Sequence, residues 1–237
     1  MASTLPISET FHSIQGEGKL AGVPSFFIRL SGCNLRCAWC DTPYASWNPD
    51  GEPQAIDALA DAAAVAKHVV VTGGEPLIFD RLPQLLTALK QRGLHITIET
   101  AGTVFQPELR AGLVDLASIS PKLSNSTPRN DPRDADGKWM RLHESRRINL
   151  EAIQALIDLP CDRQLKFVVA QPVDLAEIDA GIQTMFCSCP KASRHLRQSA
   201  SDGSLTPASS EAGDTAPGST SNYLGTPVGH DGWTAVA

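Results

Sequence analysis

The chain has 237 residues, enough for one domain of ordinary size with a real core, and its formal net charge of −6 leaves no nucleic-acid footprint. No apolar run reaches membrane-spanning length, and Met1 to Phe11 lacks both the basic start and the apolar core of a signal peptide. A cytoplasmic protein with neither nucleic acid nor membrane as a partner is expected.

In chain order, Phe26-Phe27-Ile28-Arg29-Leu30 is apolar and aromatic and ends at Gly32, which predicts a strand. Gln54 to Ala66 repeats alanine and leucine at helical spacing, and His68-Val69-Val70-Val71 is a short buried strand. Leu82 to Lys90 has the pattern of a helix closed by Gly93, and His95 to Glu99 that of a strand. A short helix over Pro107 to Gly112, a strand over Leu116 to Ser120, a helix over Asn149 to Leu159, a strand over Gln164 to Val169 and a helix over Leu175 to Gly181 complete the pattern. Lys122 to Lys138, rich in Asn, Asp and Pro, reads as a mobile loop, either one that orders over the site or a bare tether. Strands alternating with helices imply an α/β fold with a parallel sheet and right-handed crossovers. In such sheets functional loops gather at the carboxyl ends of the strands. The cysteine loop, Thr72-Gly73-Gly74-Glu75-Pro76, Thr100-Ala101-Gly102-Thr103 and Ser120-Pro121-Lys122 each follow one of the first four strands, so they converge on one face of a partial, open (β/α) barrel.

The cysteines are Cys33, Cys37, Cys40, Cys161, Cys187 and Cys189. In a reducing compartment clustered cysteines are metal ligands more often than disulfide partners, whereas Cys161, alone after Leu159-Pro160, reads as a buried structural thiol. Cys33-Asn34-Leu35-Arg36-Cys37-Ala38-Trp39-Cys40 spaces three thiols by three and then two residues. A cubane [4Fe-4S] cluster has four irons, so three thiolates leave one iron open to another molecule. A structural zinc site is the alternative, but it wants four ligands, and no fourth Cys or His stands at suitable spacing. The loop resembles that of radical S-adenosylmethionine (SAM) enzymes. In these the amino and carboxylate groups of SAM occupy the open iron, and one electron releases a 5'-deoxyadenosyl radical. Thr72 to Pro76 resembles the family's SAM-amine loop, which implies that backbone groups near Gly74 and the Glu75 side chain receive the methionyl ammonium. Paired glycines after a strand also let a backbone approach a ligand closely.

The flanks narrow the resemblance. Phe11-His12-Ser13-Ile14-Gln15-Gly16-Glu17-Gly18, Gly22-Val23-Pro24, Phe27-Ile28-Arg29-Leu30, Cys40-Asp41-Thr42, Ile98-Glu99-Thr100-Ala101-Gly102-Thr103 and Ser120-Pro121-Lys122 look like the 7-carboxy-7-deazaguanine synthase family, over about residues 7 to 180. That family converts 6-carboxy-5,6,7,8-tetrahydropterin to 7-carboxy-7-deazaguanine on the way to queuosine, releasing ammonia and regenerating SAM, with Mg2+ assisting. The resemblance implies a homodimer fed by a reductant such as flavodoxin. It places substrate contacts on Ile14, Gln15, Gly16, Arg29 and Thr100, and SAM contacts on Trp39, Cys40, Asp41, Gly102, Ser120, Pro121 and Lys122, with Mg2+ on the Thr42 hydroxyl. Arg29 suits a carboxylate, Gln15 the flat donor-acceptor edge of a pterin, and a hydroxyl a hard ion. Arg29 could instead be an exposed strand residue in a salt bridge, and Thr42 could equally well merely cap a turn. Glu99, inside an apolar strand, needs partners. An activating enzyme that docks a partner protein, or an inactive cluster-binding remnant, are the alternative readings.

After about Gly181 the pattern dies: Met185 to Ala237 is rich in Ser, Thr, Gly, Pro and Ala and has no sustained period. Residues 1–183 are therefore expected to form the domain, without its last strand or strands, and residues 184–237 a disordered tail. Codons for Met185 to Ala192, read one frame back, permit VLLMPEG, a strand and loop resembling the family's next strand. Ala208 to His230 in the same register permits LERGWRYCPRLHIQLFGNTRGT, which looks like the family's C-terminus. A frameshift near Asp179 to Met185 is the expectation, and Cys187 and Cys189 are then no ligands.

Overall fold

A computed structural model describes residues 3–187 and 235–236. One sheet runs through it in the order β3-β1-β2-β4-β5-β6-β7-β8. Its strands are β1 (Thr4–Ile14), β2 (Pro24–Leu30), β3 (Glu52–Ala55), β4 (His68–Gly73), β5 (His95–Thr100), β6 (Leu116–Ile119), β7 (Asp162–Lys166) and the two-residue β8 (Ala235–Val236). From β2 to β8 every pairing is parallel, while β1 is antiparallel to both β2 and β3. The helices are α1 (Ile56–Ala63), α2 (Leu82–Gln91), α3 (Lys138–Arg146), α4 (Leu150–Ile157) and α5 (Val173–Cys187). This is the partial, open barrel that the alternation of strands and helices implies.

Side-chain alternation gives the sheet two unlike faces. Ile28, Val71, Ile98, Ala117, Ile119 and Leu165 point toward the helices and join Leu85, Leu89, Ile153 and Leu156 in one apolar core. The opposite face carries a polar row, because Arg29 pairs in register with Thr72, and Glu99 with Ser118, which pairs in turn with Gln164. The Thr72 hydroxyl closes the row by donating to Glu99 Oε2 at 3.0 Å.

Several elements differ from expectation. β1 is added before the predicted helix of Gln54 to Ala66, and β3 takes over that helix's first two residues, so it shortens to α1. The polar segment after Lys122 is not a bare loop. It forms a 3-10 turn at Ser124–Ser126 and leads into α3, where the Asp134 carboxylate accepts from the Trp139 and Met140 amides at 2.9 and 2.7 Å. α5 runs past residue 183, the expected domain boundary, as far as Cys187. The remaining tail, with Cys189 and the rest of its frameshift-like stretch, lies outside the described residues apart from Ala235–Val236, which sit at the edge of β7.

Candidate active site

The three thiols sit on the loop that leaves the carboxyl end of β2, and its backbone is tied down from several sides. Gly32 N donates to Ala45 O at 2.8 Å, Ala38 N to Ser126 O at 2.8 Å, and Trp47 Nε1 to Cys37 O at 3.0 Å. Arg36 Nη1 donates to the carbonyls of Cys33 and Leu35, both at 2.7 Å, and its guanidinium lies 4.0 Å from the Trp139 ring centroid. Donors also face the sulfurs: Leu35 N lies 3.4 Å from Cys33 Sγ, and Ser46 Oγ 3.1 Å from Cys40 Sγ. Burial pushes the Cys33 thiol up to about 12 and the Cys37 thiol to about 11. Three anchored thiols with amide and hydroxyl donors at the sulfurs fit a [4Fe-4S] cluster.

Beside this loop opens a cavity of about 1020 Å³, ample for two small molecules. Arg29, Trp39, Asp41, Thr42, Gly74, Thr100, Ser120 and Lys122 all line it, which brings eight of the expected site residues to one place. Lys122 Nζ stands 5.5 Å from the Trp39 ring centroid and 3.0 Å from Ser120 Oγ. Thr42 Oγ1 lies 3.3 Å from Asp41 Oδ1, an oxygen pair suited to a hard cation such as Mg2+. Arg29 is both a cavity residue and a salt-bridge residue, since its Nε reaches Glu9 Oε1 at 2.7 Å. Tyr44 hydrogen-bonds the same carboxylate and, with Arg29, holds Glu9 below the usual carboxylate range.

Other expected residues lie elsewhere. Ile14 is 61% exposed and does not line the cavity. Gln15 is buried, with its amide committed: Nε2 donates to Glu99 Oε1 at 3.1 Å, and Oε1 accepts from Glu17 N at 3.2 Å. Gly16, Gly102 and Pro121 are not among the lining residues, and Gly102 packs against Ile119 and Ile153. The largest departure is Glu75. It has no exposed surface, and its Oε1 accepts from Leu77 N at 3.1 Å and Thr100 Oγ1 at 2.7 Å, while Oε2 accepts from Ala101 N at 2.8 Å. Burial pushes its pKa up against the pull of those donors. Glu75 therefore clamps the β4 and β5 loops together instead of facing a cavity ligand, and it takes the Thr100 hydroxyl with it. The neighbouring glycines are also packing positions, since a Cβ at Gly74 would run into the carbonyl oxygens of Gly32 and Ala45.

Sequence reasoning left two lining charges unassigned. Lys166, at the end of β7, lies 2.7 Å from Glu17 Oε2 and 3.7 Å from Glu99 Oε1. Burial pulls its pKa down, but the two carboxylates outweigh that and hold it above the usual lysine value. Lys166 in turn keeps the Glu17 carboxyl low. Glu99 thus has the partners its position demands: Gln15, Thr72 and Lys166. Glu17 belongs to the β1–β2 connection, which reaches under the cavity to β7, with Lys19 N on Gln164 Oε1 at 2.7 Å and Lys19 Nζ on Asp162 Oδ2 at 2.6 Å. Cys161 is half-buried against the core, as a structural thiol should be.

Comparison with known proteins matches this geometry. The Radical SAM superfamily model covers residues 27–170. Proteins named 7-carboxy-7-deazaguanine synthase from Halobacterium salinarum and Rhodopirellula baltica are each 49% identical. The first match spans 74% of this chain and 68% of that protein, the second 77% and 69%. The crystal structure of QueE from Escherichia coli superposes with a TM-score of 0.54 at 28% identity, covering 76% of this chain and 78% of that one. The chain belongs to the 7-carboxy-7-deazaguanine synthases of the radical SAM superfamily.

Proposed function

We propose that the chain is a radical SAM lyase that converts 6-carboxy-5,6,7,8-tetrahydropterin to 7-carboxy-7-deazaguanine, contracting the ring and releasing ammonia, in queuosine biosynthesis. The observation that carries this reading is the polar row of Arg29, Thr72, Glu99 and Ser118 lining a barrel cavity beside a three-cysteine loop. When bound, the [4Fe-4S] cluster and SAM supply the radical that takes a hydrogen atom from the pterin. Cys33, Cys37 and Cys40 would hold the cluster. Trp39, Asp41, Ser120, Lys122 and the Gly74 backbone would hold SAM, and Thr42, beside Asp41, would hold Mg2+.

The substrate contacts follow from charge and shape. Arg29 keeps donors beyond the one given to Glu9, so it can pair with a pterin carboxylate. Glu99 and Glu17 supply acceptors for the amino and ring N–H edge of a pterin. Lys166 between them pairs with both carboxylates and pre-orients them, and Gln15 holds Glu99 through its side-chain amide. The chain is further proposed to act as a cytoplasmic homodimer that takes electrons from a reductant such as flavodoxin. Among the described residues no helix is long and apolar enough to cross a membrane.

Residues 184–237 are proposed to derive from a shifted reading frame, at a cost in turnover but not in cluster binding. Both proposals are tested together by comparing the 237-residue chain with one whose frame is restored. Each is reconstituted without oxygen and incubated with SAM, Mg2+, reductant and carboxytetrahydropterin. Product is expected from the restored chain and much less from the present one. Absence of the deazaguanine acid in both refutes the activity, and equal turnover refutes the cost of the tail.

A further inference from the structure

His143 lies on α3, outside the cavity lining, and has no exposed surface. Its Nδ1 stands 3.1 Å from the backbone N of Arg36, in the middle of the cysteine loop. An amide can only donate, so Nδ1 must carry a lone pair, and the hydrogen of the neutral ring sits on Nε2. Nε2 lies 2.9 Å from Ser126 Oγ, which passes its own hydrogen to Leu123 O at 2.6 Å. This run of hydrogen bonds joins the cysteine loop to the segment that follows Ser120-Pro121-Lys122. Ser126 also accepts from Ala38 N through its carbonyl. The two amides that flank Cys37 in sequence, Arg36 N and Ala38 N, are thus both held by the stretch from Leu123 to His143.

We propose that His143 is a positioning residue for the iron-sulfur cluster, holding the Arg36 amide away from the sulfurs and fixing the loop of Cys33, Cys37 and Cys40 to the Ser124–Ser126 turn. His143 touches no thiol, so it acts only through the loop. Amide hydrogen bonds to cluster sulfurs set the reduction potential, and groups that orient ligands govern how firmly metal is held. An Arg36 N–H released from the imidazole is free to swing toward a sulfur. The potential should then change along with the stability of the cluster. The inference rests on the reading of the three cysteines as cluster ligands.

Two substitutions separate the hydrogen bond from mere bulk. Asparagine can place Oδ1 where Nδ1 stands and accept the Arg36 amide, whereas glutamine reaches only toward the Nε2 position. The full-length chain is reconstituted without oxygen as wild type, His143→Asn and His143→Gln. Iron remaining after a chelator challenge, the midpoint potential and the paramagnetic spectrum of the reduced cluster are then measured. His143→Asn should match the wild type, while His143→Gln should lose iron roughly tenfold faster and shift the potential. Two variants that behave alike, whether both intact or both impaired, overturn the proposal. Should the glutamine variant not fold, Ser126→Ala replaces it, and an unshifted potential there overturns the proposal in the same way. A wild-type chain that takes up no cluster would instead refute the ligand reading itself.

Discussion

Replacing Glu75 tests whether that carboxylate is a structural clamp. Its oxygens accept from Leu77 N, Thr100 Oγ1 and Ala101 N, all in a site closed to solvent. Each buried donor left without a partner costs about 1–3 kcal/mol. Glu75→Ala abandons three donors, and even after the relief of no longer burying a carboxylate it should destabilise the fold by about 4 kcal/mol or more. Glu75→Gln keeps the shape and can keep two bonds, with the amide oxygen in the Oε1 place, but sets its NH2 against the Ala101 amide. That mismatch should cost about 2 kcal/mol, or roughly 4–8 °C in melting temperature for a domain of this size. Thermal and urea unfolding of the cluster-free chain, followed by far-ultraviolet circular dichroism without oxygen, measures both. A glutamine variant as stable as wild type, or an alanine variant no worse than the glutamine one, would refute the clamp.

The remaining predictions concern the sheet and the cysteine loop. Burial and the neighbouring His95 hold the pKa of His68 at about 4, where its ring bonds Ser25 Oγ and Thr97 Oγ1. An unfolded histidine titrates near ~6.5, so below that pH the unfolded chain takes up a proton that the native one refuses. Stability should fall by about 2 kcal/mol from this residue by pH 5, and urea midpoints that do not respond to His68→Gln between pH 7 and 5 would contradict it. Gly74→Ala should distort the contact with Gly32 and Ala45 and lower cluster uptake, read as iron per chain; unchanged iron content would refute it. Alanine at Cys33, Cys37 or Cys40 should abolish the brown colour of the reconstituted chain, whereas Cys161→Ala should leave its visible spectrum unaltered.

How much of this was legible beforehand depended on whether the signal was local. His68-Val69-Val70-Val71 declares a buried strand by composition, and the cysteine spacing declares the cluster by stoichiometry. Glu99 was recognisable as a charge in an apolar strand that required partners. β1 was not recognised, because Thr4–Ile14 mixes polar residues with Pro6 and owes its strand to pairing with β2 and β3. α3 escaped for a similar reason. Its apolar residues Trp139, Met140 and Leu142 are outnumbered by polar ones, it buries only His143, and the carboxylate that caps it, Asp134, comes from a preceding turn. Lys166 gave no sign of facing inward, since that depends on the curvature of the whole sheet. Glu75 was placed at a ligand because its motif was familiar, but what the carboxylate binds is decided by Thr100 and Ala101, a strand away.

The strap from Gln15 to Lys19 has a consequence for how the protein comes into being. Its anchors are remote: Lys19 meets Gln164 across 145 positions of sequence, and Glu17 meets Lys166 across 149. An emerging chain can form β1, β2 and the cysteine loop early, but it has no floor beneath its reaction chamber until β7 has left the ribosome. Fragments cut before that strand should collect iron yet offer a pterin nowhere to rest.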